Sequence, residues 1–293
     1  MQTQLTILKT ESLQKQSNKI VNVASVPQRS PFRYPGGKTW LIPIVRQWLM
    51  QNKKASHLIE PFAGGGIVSL TAAFENLAEH ITMVELDREI AAVWNVILNG
   101  KNKWLADKIY NFDLTYKNAK TEFEKQRKQI NDVAFCTILK NRIFHGGIMA
   151  KGSGLIKKGE NGKGIRSRWY PKTLQSRILA INFIKDKINF YTGDGFEIIE
   201  QYKNNPDSFF FIDPPYTTAG KRLYTHYDLD HERLFVIAAE IKGKFMLTYD
   251  DSEKIRNLVH KYHLKYRMVP MKTTHHLEKR EIIISDNFDW WTE

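Results

Sequence analysis

Two short apolar runs lie back to back between residues 56 and 98, each followed by a turn and a stretch with helical spacing. Ser56–Phe62 runs into Ala63-Gly64-Gly65-Gly66, and Val68–Asn76 continues with apolar residues spaced for a helix. His80–Asp87 repeats the pattern, closes on an acid, and is followed by the helix-like Arg88–Asn99. Strand, glycine turn, helix, strand, acidic end, helix is the order of a βαβ unit, which requires a parallel sheet. The pattern resumes later. Ile188–Asp194, Ser208–Ile212 and Lys244–Asp251 read as strands, His231–Gly243 and Lys254–Tyr262 as helices, and Leu264–Pro270 with Arg280–Asp286 as a closing strand pair. The predicted fold is α/β, a doubly wound Rossmann-like sheet.

Between these halves the texture changes. Thr121–Phe144 reads as one helix, and Pro171–Asp186 as another. The stretch between them holds seven glycines from Gly146 to Gly164, which is incompatible with continuous helix or strand and predicts a loop or irregular hairpin. Charge concentrates in the same place. Lys101–Ala180 carries 18 Lys and Arg against 6 Asp and Glu, a balance of +12 out of a net +13 for the whole chain. Such concentration predicts a face for a polyanion rather than a uniformly solvated surface. The division expected is an N-terminal arm over 1–30, a catalytic domain over 31–100 and 186–293, and a mainly helical, loop-rich basic module over 101–185.

Several functions are disfavoured. No apolar run is long enough to span a bilayer, and the N-terminus lacks the layout of a secretory signal, so a cytoplasmic protein with no membrane partner is expected. The single cysteine, Cys136, sits in an apolar helical run and leaves neither a disulfide framework nor a thiolate nucleophile. Gly36-Gly37-Lys38-Thr39 has Phe32 where a P-loop needs its first glycine. His275-His276 lack companion ligands, and Asp250-Asp251 read as a capping turn, so no metal is expected.

The most specific chemistry is Asp213-Pro214-Pro215-Tyr216, directly after the apolar strand ending at Ile212. At the carboxyl end of a parallel strand these residues face the ligand crevice. An aspartate beside a carbonyl held by proline gives two acceptors, and tyrosine gives a flat face. The set suits a planar group with an NH₂ donor pair. The glycine turn after Glu60 permits close approach of a ligand to a helix N-terminus. Asp87 can accept from ribose hydroxyls or cap the next helix.

Taken in order with Arg33-Tyr34-Pro35-Gly36-Gly37-Lys38 and Gly193-Asp194, these segments resemble the D12 class, Dam-like family of adenine-specific DNA N6-methyltransferases. The resemblance covers roughly residues 31–293, with the basic module where the family carries its target-recognition domain. It implies S-adenosylmethionine as cofactor and double-stranded DNA as partner. It places Tyr34, Lys38, Phe62, Gly64, Asp87, Asp194 and Asp213 around the cofactor, and Asp213, Pro214 and Tyr216 around a flipped adenine. Two departures are visible: a tyrosine where some members carry tryptophan before Gly-Gly-Lys, and Gly195 where an aromatic occurs. Arg142, Lys151, Lys157, Lys158, Lys163, Arg166 and Arg168 are the expected DNA contacts. A restriction-modification context fits the family. N4-cytosine methylation and a catalytically silent DNA-binding protein are the alternatives.

Overall fold

The computed structural model describes residues 26–33, 36–51, 55–149, 152–216, 229–272 and 278–292. Tyr34, Lys151, His275, His276 and residues 1–25 of the expected arm lie outside them. A 3₁₀ turn (Lys38–Leu41) leads into α1 (Ile42–Gln51). The βαβ unit follows as β1 (Ala55–Glu60), α2 (Ile67–Phe74), β2 (Ala78–Glu85) and α3 (Arg88–Val96). The basic segment holds α4 (Asn102–Asn111), α5 (Tyr116–Glu124), α6 (Ile130–Ile143) and α7 (Pro171–Ile181). The second half supplies β3 (Ile188–Thr192), α8 (Gly195–Tyr202) and β4 (Ser208–Ile212), then α9 (His231–Glu240) and β5 (Lys244–Asp250). It ends with α10 (Glu253–Lys261), β6 (Lys265–Lys272) and β7 (Glu278–Ser285).

The seven strands form one sheet in the order β3-β2-β1-β4-β5-β7-β6. The first five are parallel, and β7 pairs antiparallel with both β5 and β6. Strand order reverses between β1 and β4, so a crevice opens above their carboxyl ends, the place where open α/β sheets bind ligands. Every residue of β4 is buried, as expected of a strand covered on both faces. Hydrophobic clusters flank the sheet. One contains Trp48, Trp94 and Phe209, and the other Phe210, Phe235 and Tyr249.

The chain leaves the sheet layer at Asn99-Gly100, where Gly100 takes φ 86° and breaks the helical path between α3 and α4. Ala134, Phe135, Ile138 and Leu139 of α6 join the same cluster as Trp94 and Leu105, so the basic module shares a core with the sheet layers. The expected single helix over 121–144 is two. Arg127 Nη2 donates to the Glu122 and Phe123 carbonyls, closing the end of α5, and the chain extends before α6 restarts. The glycine-rich stretch is an irregular hairpin closed by an antiparallel bridge between Phe144 and Leu155. Its outgoing arm continues past the bridge through the 3₁₀ turns Glu160–Gly162 and Gly164–Arg168. The described end of the arm is anchored, with Ser30 Oγ donating to the Gly65 carbonyl and Arg29 pairing with Glu75 at 3.1 Å. No helix among the described residues is long and apolar enough to cross a membrane.

Candidate active site

The crevice is built from strand ends. β1 delivers Glu60 and then the turn Pro61–Gly66, which folds back so that Ala63 N–H reaches the Val84 carbonyl at 2.9 Å. Gly66 takes φ +60°, and a Cβ there would lie 2.6 Å from Met83 Cε and 2.8 Å from Trp94 Cζ2, so only glycine fits. Trp94 Nε1 donates to the Gly64 carbonyl at 2.9 Å, fixing the turn from the far side. Gly64 N–H in turn donates to Glu85 Oε2 at 2.8 Å. Glu85 ends β2, and its other oxygen accepts from Asp87 N–H at 2.8 Å.

Asp87 itself caps α3, with Oδ1 accepting from Glu89 N–H at 2.8 Å and from Ile90 N–H at 3.4 Å. The strand-end carboxylate is therefore Glu85, two residues earlier, which the sequence reading passed over. The run Glu85-Leu86-Asp87 offered the signal, since only its first acid completes the strand. Asp194 likewise caps α8 through Phe196 N–H at 2.9 Å. Phe62 meets Phe196 edge-on, with ring centroids 6.2 Å apart, so the aromatic of this segment stands one residue beyond Gly195. Buried carboxyls gather here. Desolvation pushes the Glu60 carboxyl up to about 8, partly opposed by the bond from Ser69. It pushes Glu85 up to about 7 against the bonds from Asp87 and Gly64.

Asp213 follows β4 on the other side of the switch point. Its Oδ1 accepts from Thr248 Oγ1 at 2.7 Å and lies 3.0 Å from Lys38 Nζ. Lys38 is almost wholly buried. It donates to the Gly36 carbonyl at 2.9 Å and also stands 3.7 Å from Glu281 Oε2. Burial lowers the affinity of its ammonium for the proton, but Asp213 and Glu281 more than reverse that and its pKa is raised. Tyr216 donates its hydroxyl to Glu281 Oε2 at 2.8 Å. Its ring lies 5.8 Å from that of Tyr249, and the Lys38 ammonium sits 4.9 Å from its centroid. Lys38, expected at the cofactor, is thus joined to the Asp-Pro-Pro-Tyr segment, and Thr248 and Glu281 are site residues the sequence reading missed.

The basic side chains separate into two groups. Lys157, Lys158, Lys163 and Arg166 are exposed on the hairpin, with Arg166 Nε donating to the Leu114 carbonyl at 2.9 Å, and Arg168 is half-buried. Arg142 is buried and donates to the Pro31 carbonyl, so in this arrangement it braces the segment leading to Lys38 rather than facing solvent. Cys136 is 2% exposed and burial pushes its thiol up, which suits packing and not attack on a base.

Residues 34–273 match the D12 class N6 adenine-specific DNA methyltransferase family. A DNA N-6-adenine-methyltransferase of Escherichia phage P1 is 25% identical over 254 residues, 82% of this chain and 32% of its own length, so the chain spans about a third of that relative. The type II methyltransferase M.CviBI of Paramecium bursaria Chlorella virus NC1A is 26% identical over 80% of this chain and 90% of its own. An rRNA methyltransferase of Streptomyces viridochromogenes aligns over 92% of this chain and 90% of its own at TM-score 0.38 and 9% identity. The matched stretch takes in the Gly-Gly-Lys segment, both strand-end turns and the basic module, far more than half of the chain. This chain belongs to the D12 class of N6 adenine-specific DNA methyltransferases.

Proposed function

We propose that the chain transfers a methyl group from S-adenosylmethionine to N6 of adenine in duplex DNA, by base flipping and direct in-line displacement. The observation that carries this reading is the state of Asp213. Its Oδ1 is taken by Thr248 and Lys38, while Oδ2 and the neighbouring Pro214 carbonyl have no donor among the described residues. Two adjacent acceptors are what an exocyclic amine with two N–H groups requires.

The cofactor fits the other half of the crevice. Glu60 and Glu85 stand buried at adjacent strand ends with mutual repulsion, and Asp213 repels Glu60 as well. Such a site favours a ligand that brings positive charge and hydroxyl donors, which describes a sulfonium and a ribose. When bound, S-adenosylmethionine supplies a methyl already activated toward a nitrogen nucleophile. The residues assigned to it in this reading are Phe62, the turn at Gly64, Glu85 and the capping pair Asp87 and Asp194, with Tyr34 added by the family resemblance.

The chain's own contribution is position and charge. Extruding an adenine costs a few kcal/mol, and stacking on an aromatic returns about 1–3 kcal/mol, the role given to Tyr216. Hydrogen bonds from N6–H to Asp213 Oδ2 and the Pro214 carbonyl turn the nitrogen toward a tetrahedral shape and aim its lone pair. The Asp213 carboxylate also stabilises the positive charge that grows on N6, and the proton that N6 must shed after transfer is released along its hydrogen bond to Asp213 Oδ2 and on to solvent. Lys157, Lys158, Lys163, Arg166 and Arg168 supply phosphate and base contacts from the hairpin. The protein works in the cytoplasm.

The test is transfer of labelled methyl to unmethylated duplex DNA, followed by nucleoside analysis. Label in N6-methyladenine, lost in Asp213→Ala while DNA binding persists, supports the reading. Label in N4-methylcytosine overturns the base, and full activity of Asp213→Ala overturns the chemistry.

A further inference from the structure

β7 lies beyond residue 273, where the family match ends, yet it sends one carboxylate into the crevice. Glu281 pairs across the ladder with Asp250 of β5, and Thr248 lies two residues before Asp250 on the same strand face. The β5–β7 pairing therefore brings Thr248 and Glu281 to one side of the sheet, beneath Asp213 and Tyr216. Glu281 is 6% exposed, and its Oε2 does two things at once. It accepts the Tyr216 hydroxyl at 2.8 Å, and it stands 3.7 Å from the Lys38 ammonium.

We propose that Glu281 is the positioning residue of the Asp-Pro-Pro-Tyr segment, setting the tilt of the Tyr216 ring through its hydroxyl and the seat of Lys38 through charge. The assignment rests on adenine methylation as proposed above. Tyr216 has one torsion that swings the ring and one that turns it. A hydroxyl tied to a buried strand fixes the swing, because Oη lies on the axis of the turn. The Tyr249 ring at 5.8 Å and the Lys38 ammonium at 4.9 Å restrict the turn, leaving the ring oriented before any base arrives. Lys38 lies between Asp213 at 3.0 Å and Glu281 at 3.7 Å, so it is held from two sides. Thr248 supplies the second donor to Asp213 Oδ1, and together these contacts leave Oδ2 as the oxygen that meets N6. One carboxylate outside the matched stretch thereby restrains the aromatic directly and the aspartate through Lys38. The aromatic and the aspartate are the two parts of the site that touch the target base.

The experiment compares wild type, Glu281→Gln, Tyr216→Phe and the double variant. Each is measured for single-turnover methylation of duplex DNA and, without cofactor, for the fluorescence of 2-aminopurine at the target adenine. Losing the charge at Glu281 should lower the transfer rate about 10- to 100-fold. KM for DNA should change by less than about 3-fold, because the hairpin supplies most of the binding. The fluorescence signature of the stacked, extruded base should change in both single variants. The losses in the double variant should be less than additive, since Glu281→Gln exchanges the charged acceptor of the Tyr216 hydroxyl for a weaker amide oxygen and Tyr216→Phe removes the hydroxyl itself. Unchanged rate and fluorescence in Glu281→Gln, or additive losses, would overturn the role. If Glu281→Gln fails to fold, Tyr216→Phe removes the same bond from the other side, and an unaltered 2-aminopurine signal there overturns it equally. Wild type that makes no N6-methyladenine refutes the proposed reaction instead, a result separable from either.

Discussion

A Cβ on Gly195 would stand 2.3 Å from the Pro61 carbonyl oxygen and 3.0 Å from Phe62 Cε1. The first turn of α8 is therefore pressed against the turn after β1, and a larger side chain at this position would not fit this backbone. Gly195→Ala must push the two apart, and such overpacking costs about 1–3 kcal/mol. The expected result is a lower Tm and a cofactor Kd raised several-fold in calorimetry, with DNA affinity unchanged. An unaltered cofactor Kd would detach the α8 terminus from the binding site.

Stability should depend on pH through the two strand-end carboxyls. Burial raises Glu60 to about 8 and Glu85 to about 7, above their ordinary value of 4.5. The folded state thus favours the protonated forms. Their stabilising contribution is complete below the unfolded value and is lost as pH rises toward 8. Thermal melts without cofactor should show Tm falling from pH 5 to pH 8, with a flatter slope in Glu60→Gln. An equal slope in wild type and variant would mean that Glu60 ionises in the fold as freely as in water.

The parts of this site that were legible in the sequence are local. A glycine turn after β1 and a proline-fixed turn after β4 declare themselves because special backbone geometry needs special residues in consecutive positions. Asp87 and Asp194 were visible as acids after strands; each caps a helix through Oδ1, and in one dimension a capping acid and a ligand-binding acid look alike. Thr248 and Glu281 were not legible. They reach Asp213 and Tyr216 across separations of 35 and 65 residues, through strand pairing that no local pattern encodes. The break between α5 and α6 was hidden for a related reason, since Lys125–Lys128 is as good a helix sequence as its neighbours until Arg127 folds back onto two carbonyls.

The hairpin lysines should carry the salt dependence of DNA binding. Lys157, Lys158 and Lys163 are exposed, and 18 of the chain's Lys and Arg lie between Lys101 and Ala180. Each phosphate contact removed lowers the slope of log K against log salt by about 0.9. Replacing all three with alanine should reduce the slope by roughly 2–3 and weaken binding to any sequence, leaving cofactor binding intact. A slope unchanged in fluorescence-anisotropy titrations would move the phosphate face elsewhere on the module.

Asn141 links the basic module to the segment that carries Lys38. Its Oδ1 accepts from Arg33 N–H at 2.8 Å, and its Nδ2 donates to the Arg33 carbonyl at 2.9 Å and to Gly147 at 3.1 Å. The side chain therefore pairs with residue 33 as a neighbouring strand would, while Gly147 closes from the other side. A Cβ on Gly147 would lie 2.4 Å from the Arg33 carbonyl oxygen. Asn141→Leu keeps similar bulk but removes these three hydrogen bonds, at about 1–3 kcal/mol for each buried group left unsatisfied. Urea unfolding should show a lower midpoint with an unchanged m-value. Because Arg33 lies five residues before Lys38, the same change should loosen the seat of the ammonium on Asp213. Transfer should then fall further than the lost stability accounts for at a temperature where the variant is fully folded. Full transfer from a destabilised but folded variant would show instead that Asn141 holds only the module, and that Lys38 is seated by Asp213 and Glu281 alone.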